Sequence, residues 1–346
     1  MSETPLTYRD SGVNIDEAGR VLRAVASGIG STHTDNVVGG VGGFGALYRA
    51  SFGGLENPIL VSSIDGVGTK TKVAAMVGDY SGIGKDIVNH CVDDILCQGA
   101  RPLFFLDYFG TSHLQGFQFE AVVNGMVEAC REVGAALVGG ETAEMPDVYH
   151  ADEIDVVGSI VGVVDADRKY PRGKMNAGDA IVGIASDGIH TNGFSLARRA
   201  LFEMGGLSVR DIVPGLQTTI GEELLRPHRA YFNSVWPLLQ EGEAVYALAH
   251  VTGGGLYDNL PRVMPSDVRA VIERRSWTPL PIFRLIQETG AIEDNEMFRT
   301  FNMGIGMVLF VDRVAAPGIV QRLNQSGETA AIIGEVQSGS RDVQIL

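Results

Sequence analysis

Four short stretches of this 346-residue chain combine carboxylates, hydroxyls and glycines in patterns that suit phosphate chemistry. In SSIDGVGTK, residues 62–70, Asp65 ends a β-branched run and is followed at once by Gly66, Gly68, Thr69 and Lys70. A carboxylate exposed on such a turn can hold Mg²⁺ while Lys70 or backbone N–H groups face phosphate oxygens, the division of labour of phosphoryl transfer. The same string also reads as an ordinary hairpin loop, because Asp-Gly turns are common. In VGGETAEMP, residues 138–146, Gly139 and Gly140 permit close backbone approach, Thr142 is a donor to phosphate, and Glu141 reaches a metal or its waters. A structural turn is the alternative. The run GGVGGFG, with Gly40, Gly42, Gly43 and Gly45, is neither a Walker loop nor a dinucleotide fingerprint; it reads as a loop closing over a triphosphate or as a linker.

SDGIHTNGFSL, residues 186–196, places His190, Thr191 and Asn192 ahead of a helix beginning near Gly193. Backbone donors at a helix start suit a phosphate. His190 has the right ordinary pKa to steer or shuttle a proton, although a lone histidine is more often hydrogen-bonded structure, and Asn192 also reads as an N-cap. Asp93 and Asp94 fall on a helix in which Asp94 shares a stripe with Asp86 and His90 at four-residue intervals. Mg²⁺ often takes only one or two protein carboxylates, so Asp65 with Asp94 suffices for a site; a solvated helix face is the plainer reading of an acidic pair.

These residues need elements to hold them. PILVSSI, residues 58–64, reads as a buried strand ending at Asp65; residues 81–99 carry apolar side chains at helical spacing. PLFFLDYFG, AALVGG and IDVVGSIVGVVD read as strands, with a helix over 117–133. Charged, turn-forming residues around 165–178 mark a junction between an N-terminal domain, 1–168, and a C-terminal domain, 169–346. The second half opens with the strand AIVGIAS, a helix over 194–204 and the glycine turn HVTGGG. Further strands are expected at 268–272, 307–311 and 330–336, and a helix at 315–325. The reading is α+β, two mixed α/β domains, with no solenoid repeat.

Composition narrows the partners. A net charge of −15 disfavours nucleic acid and anionic membrane surfaces, so a phosphate ligand needs a cation, oriented N–H groups or a few local basic side chains. Three cysteines without zinc spacing suit buried thiols in a reducing compartment, and the absence of an apolar leader points to the cytoplasm. No serine-nucleophile elbow or His-Glu-x-x-His pair is present.

Taken in order, GGVGGFGAL, DGVGTK, CVDDILCQGA, PLFFLDY, LVGGETAEMP, SDGIHTNGFSL, HVTGGG and RTFNMGIGM resemble the phosphoribosylformylglycinamidine cyclo-ligase (aminoimidazole ribonucleotide synthetase) family across nearly the whole chain. Its wider ATP-binding superfamily, of the PurM-like fold, includes formylglycinamide ribonucleotide amidotransferase, selenophosphate synthetase, thiamine monophosphate kinase and a hydrogenase maturation protein. The resemblance implies a homodimer whose N-terminal strands form a shared barrel, with ATP and Mg²⁺ used to close the imidazole ring of formylglycinamidine ribonucleotide through an iminophosphate. It implies Asp65 and Asp94 at metal and phosphate, Lys70 and the glycine loops around ATP, and His190 and Asn192 on the substrate side. One departure stands out. Family members often carry a lysine-rich stretch before the first glycine loop, where this chain has AVASGIGSTHTDNVV, leaving Arg20, Arg23 or Lys70 to compensate. A superfamily kinase or synthetase acting on another small substrate is the runner-up, and a silent ATP-binding regulator is the reading from a different class.

Overall fold

The computed structural model describes Tyr8 and residues 11–173, 175–242 and 244–346. The N-terminal half runs α1 (Ile15–Gly30), β1 (Val37–Val38), β2 (Leu47–Tyr48), β3 (Pro58–Gly66), α2 (Lys70–Val77), α3 (Ile83–Leu96), β4 (Arg101–Thr111), α4 (Gly116–Val133), β5 (Ala136–Glu144) and β6 (Ile154–Asp165). Four of its strands form one sheet in the order β3-β6-β4-β5, antiparallel except for the β4–β5 pair. The C-terminal half continues with β7 (Ala180–Ala185), α5 (Phe194–Arg198), α6 (Ile220–Leu224), α7 (Phe232–Gln240), β8 (Val245–His250), α8 (Gly255–Asn259) and β9 (Val268–Ile272). It ends with α9 (Pro281–Gly290), α10 (Asp294–Thr300), β10 (Ile305–Val311), α11 (Ala316–Gln325), β11 (Ala330–Ser338) and β12 (Val343–Ile345). Its six-stranded sheet has the order β12-β9-β11-β7-β10-β8.

Alternation along the second sheet sends its side chains to two cores, as the two-residue period of a strand requires. Val182 and Ile184 of β7 and Met307 and Leu309 of β10 join the core containing α3, α4, α7 and α11. Ile181, Val308 and Phe310 face the other way, onto α5, α8, α9 and α10. The helix α3 therefore lies between the two halves, and every residue of it except Lys85 and Asp94 is buried. A helix that is apolar on one stripe only would not tolerate this; here Ile87, Cys91 and Ile95 face the first sheet while Asp86, Asn89, His90 and Asp93 are also enclosed.

Glycines set how closely α3 approaches its neighbours. A Cβ on Gly84 would lie 1.9 Å from the Val122 carbonyl oxygen, and one on Gly125 would lie 2.7 Å from that of Ser81, so α3 and α4 cross backbone to backbone. Against the sheet, a Cβ on Gly158 would strike Phe105 and Ile87.

Two expectations need correction. The helix expected over 194–204 is α-helical only to Arg198 and then widens into a π-turn over Arg199–Met204. The strand at 58–64 is an edge strand, and Leu60 and Ile64 are 60% and 69% exposed within the chain, on a face of the first sheet that Tyr48 of β2 reaches only at Phe104 among the described residues. The sequence reading also passed over α1, β8, α9 and α10.

Gly84→Ala should destabilise the fold by at least about 2 kcal/mol, since the neighbouring backbone cannot yield as a flexible side chain would. Urea unfolding checks this, and a variant within about 0.5 kcal/mol of the parent would mean that the crossing tolerates a methyl group.

Candidate active site

The charged residues of α3 meet partners from four other segments at the junction of the two halves. Asp65 ends β3, and its Oδ1 accepts from the Gly66 N–H at 2.7 Å while Oδ2 lies 2.9 Å from His90 Nε2. One turn further along α3, Asp94 Oδ1 is 2.9 Å from Nδ1 of His250, the last residue of β8, and its Oδ2 accepts from Ser63 Oγ at 2.8 Å. The imidazoles connect the two carboxylates: His90 Nδ1 is 2.7 Å from Thr191 Oγ1, Thr191 Oγ1 is 3.2 Å from His228 Nδ1, and His228 Nε2 is 2.9 Å from His250 Nε2. Four of the chain's seven histidines, His90, His190, His228 and His250, are gathered here.

Protonation follows the enclosure. Burial raises the Asp65 carboxyl, but the His90 contact and the Gly66 N–H outweigh it and hold the group below its usual range. Asp94 behaves alike, with burial overcome by His250 and Ser63. Burial depresses His90, yet the facing Asp65 carboxylate carries it above the ordinary value. His190 and His228 are pushed well below that value by burial and by their cationic neighbours, and His250 is lowered less because Asp94 opposes its burial. Asp93, fully buried, is driven well above the usual carboxylate range by desolvation, which the Tyr231 N–H only partly offsets. The result is two ionised, half-exposed carboxylates beside a wall of mainly neutral imidazoles.

Other motifs close on the same place. Thr69 Oγ1 lies 3.1 Å from Ser195 Oγ, joining the turn after β3 to the first turn of α5. Asn192 donates to Thr191 Oγ1 at 3.4 Å, and a Cβ on Gly253 would lie 3.1 Å from Asn192 Oδ1, which brings the HVTGGG turn against the His-Thr-Asn loop. The cap of α5 is Gly193 and makes no side-chain cap bond, so the N-cap reading of Asn192 does not hold.

Residues 50–164 match the model described as AIR synthase related protein, N-terminal domain, and residues 176–345 match AIR synthase related protein, C-terminal domain. The chain is 44% identical to the phosphoribosylformylglycinamidine cyclo-ligase of Geotalea uraniireducens (strain Rf4), over the full length of both. It is 46% identical to that of Alkaliphilus metalliredigens (strain QYMF), over 99% of each. The chain belongs to the phosphoribosylformylglycinamidine cyclo-ligase family. The fold is also that of more distant proteins. Thiamine-monophosphate kinase from Stenotrophomonas maltophilia K279a superposes with a TM-score of 0.69 at 18% identity, over 93% of this chain and 95% of that one. The hydrogenase maturation protein HypE, in complex with ATP, gives 0.66 at 21% identity, over 97% and 92%.

Within this cyclo-ligase family member, several residues lie elsewhere than the sequence reading put them. Lys70 is not on an exposed turn. It opens α2, its side chain is fully buried, and its ammonium donates to Asp86 Oδ1 at 2.8 Å and to the Arg226 carbonyl at 2.7 Å. Burial lowers the Lys70 pKa and raises that of Asp86 to about 6, so the pair is a desolvated strut between the halves, with no hydrogen left for a phosphate beyond a third N–H. His190 is turned inward by a backbone φ of +60° and stacks on His228 with ring centroids 4.0 Å apart. Both its ring nitrogens are enclosed without a partner among the described residues, which removes it from the position of a proton shuttle to substrate. Glu141 is one residue beyond the row Asp65–Gly158–Asp107–Gly140 that crosses the sheet, so it points to the opposite face from Asp65 and cannot share a metal with it inside one chain.

Gly139, Gly140 and Thr142 continue β5, the edge strand furthest from Asp65, in place of the expected turn. Gly40, Gly42, Gly43 and Gly45 form the open tip of the β1–β2 hairpin, with no neighbouring atom within 4 Å of a Cβ on Gly40, Gly42 or Gly45. Arg20, one of the residues left to replace the family's lysines, is held by Glu17 and Glu120. The reading missed His228 and His250 altogether; His250 begins the HVTGGG string, whose glycines drew the notice, and the rarity of histidine in the chain was the signal available.

Lys70→Met should destabilise the protein by about 3–5 kcal/mol, because it leaves Asp86 buried and unpaired. The double variant Lys70→Met/Asp86→Leu should regain most of that loss. Denaturant unfolding reads both, and a single variant of parental stability with a raised Michaelis constant for ATP would restore Lys70 to the nucleotide.

Proposed function

We propose that this chain converts formylglycinamidine ribonucleotide to aminoimidazole ribonucleotide, with ATP giving ADP and phosphate, in purine biosynthesis. Full-length identity of 44–46% to cyclo-ligases of that name supports the reading, and the observation that carries the chemistry is the convergence of Asp65 and Asp94 from separate segments. The γ-phosphoryl group passes to the formyl amide oxygen, giving an iminophosphate. The amidine nitrogen then attacks that carbon and phosphate leaves with the oxygen. An amide oxygen is a poor leaving group, and phosphorylation is what makes its departure feasible.

The two carboxylates also suit Mg²⁺. Each of their four oxygens takes one hydrogen bond from the protein and keeps a lone pair, both groups are held ionised, and both reach the surface, with side chains 42% and 31% exposed. Such hard oxygen donors match the ion, whereas Asp93 is enclosed away from the surface. When bound, Mg²⁺ would offset charge on the transferring phosphoryl group. His90 and His250 fix the carboxylate rotamers, and Thr191 ties His90 to the loop that carries Asn192, the candidate substrate contact.

The exposed sheet face supports a homodimer in which a second copy packs against Leu60, Ile64, Phe104 and Leu106, consistent with a barrel shared between N-terminal halves. Leu60→Glu/Ile64→Glu should yield a monomer by light scattering; a double variant that stays dimeric at micromolar concentration would place the interface elsewhere.

Mixing the protein with Mg-ATP and formylglycinamidine ribonucleotide should release ADP, phosphate and the aminoimidazole in equal amounts. Asp65→Asn should lower kcat by about 100-fold or more with unfolding unchanged, on the scale of removing a group that organises the transferring phosphate. Full turnover by that variant would take Asp65 out of the reaction, and ADP without aminoimidazole would point to a superfamily kinase.

A further inference from the structure

A cavity of about 270 Å³ opens in the C-terminal half, with neither carboxylate nor any of the histidines of that site in its lining. Three arginines line it, Arg172, Arg262 and Arg341, together with Pro171, Tyr246 and Met264. Each arginine comes from a different segment: the stretch joining the two halves, the turn after α8, and the loop before β12. None of the three forms an ion pair or a side-chain hydrogen bond among the described residues. Some arginines elsewhere are neutralised by acids: Arg229 has Asp187 and Glu328, Arg269 has Asp342, and Arg322 has Glu241. With 42 acidic against 27 basic side chains, three arginines on one cavity without a carboxylate run against the field of the whole molecule.

We infer that this cavity is a binding site for a phosphomonoester on a compact organic body, of the size of a sugar phosphate. A planar guanidinium offers paired donors matched to phosphate oxygens, and three from separate directions can surround one dianion. The rest of the lining includes the apolar Met264 and Pro171 with Tyr246, which suits a carbon framework beside the anion. Gly173 adopts φ +73°, and a Cβ there would come 3.1 Å from the Tyr246 ring, so the joining stretch lies flat against this wall.

The site is separate from the carboxylate pair but mechanically connected to it. Tyr246 precedes His250 by four residues on β8, about 13 Å along the strand. The Arg172 N–H donates to the Tyr246 carbonyl at 2.8 Å, and the guanidinium of Arg172 stacks over Tyr170 with its carbon 4.6 Å from the ring centroid. Tyr170 in turn donates its N–H to the Gln98 carbonyl at 3.1 Å, just past the end of α3 that carries Asp94. An anion drawing Arg172 toward Arg262 and Arg341 fastens the stretch between the halves, and that stretch is braced on α3.

The test uses ribose 5-phosphate as probe and the full-length protein, with a non-hydrolysable ATP analogue at saturation. Calorimetry should show binding that weakens by about tenfold or more in Arg262→Ala/Arg341→Ala, with kcat for ring closure within about twofold of the parent. Both arginines are exposed, so the fold should persist; Arg262→Gln/Arg341→Gln, checked by circular dichroism, provides a second variant with the same expected loss. Unbound phosphate-free ribose should show no heat. Failure of the parent to bind at about 10 mM probe, or equal binding by both double variants, overturns the site. Neither result touches the ring-closure assay, so the two readings fail independently.

Discussion

Everything at the junction depends on the burial of α3 between two sheets. A helix covered on all sides leaves its polar side chains no water, and an unpaired buried charge costs several kcal/mol. Each polar residue of α3 therefore has its own resolution in the other half. Asp86 takes Lys70 and the His228 N–H, Asn89 donates to the His228 carbonyl, Asp93 accepts the Tyr231 N–H, and His90 meets Asp65 and Thr191. These contacts fix the stretch 226–231 against α3 and, through it, the docking of the halves.

Of the acidic residues of α3, Asp94 alone escapes full enclosure, and the helical period explains why. It follows Asp86 and His90 at intervals of four, so the three lie along one slowly drifting stripe that begins in the interior at Asp86 and emerges at the cleft by Asp94. Asp93, one residue earlier, is turned about 100° away and points into the C-terminal half. Adjacent aspartates on one helix thus shift in opposite directions from the usual carboxylate range, a difference made by direction and not by residue type.

Much of this was legible in the chain. The apolar spacing of 83–96 gave α3, and the stripe Asp86–His90–Asp94 was visible in it, because helical periodicity is a local property. The strand at 268–272 matched to the residue for the same reason. What escaped was set by tertiary contact. Lys70 reads as a surface lysine in any window of sequence; its burial follows from α2 starting immediately after Gly68, which directs the side chain toward Asp86 and the Arg226 carbonyl. His190 reads as a loop residue, and only its left-handed backbone reveals that it faces inward. The exposed Leu60 and Ile64 illustrate the reverse error, since a β-branched run announces that a face is covered without saying by what.

A site built this way cannot exist in either half alone. Asp65, His90 and Asp94 belong to the first sheet and α3, while Thr191, His228 and His250 arrive from the second half, and each imidazole that orients a carboxylate is itself held across the junction. The two carboxylates differ in this respect: Asp65 is held by Gly66 and His90 of the first half, whereas Asp94 gains its His250 contact only when the second sheet docks on α3. Packing and chemistry are then one requirement. The contacts that relieve the burial of α3 are the same contacts that hold two ionised carboxylates side by side, so a change that loosens the docking should disturb the charge pair before it unfolds either sheet.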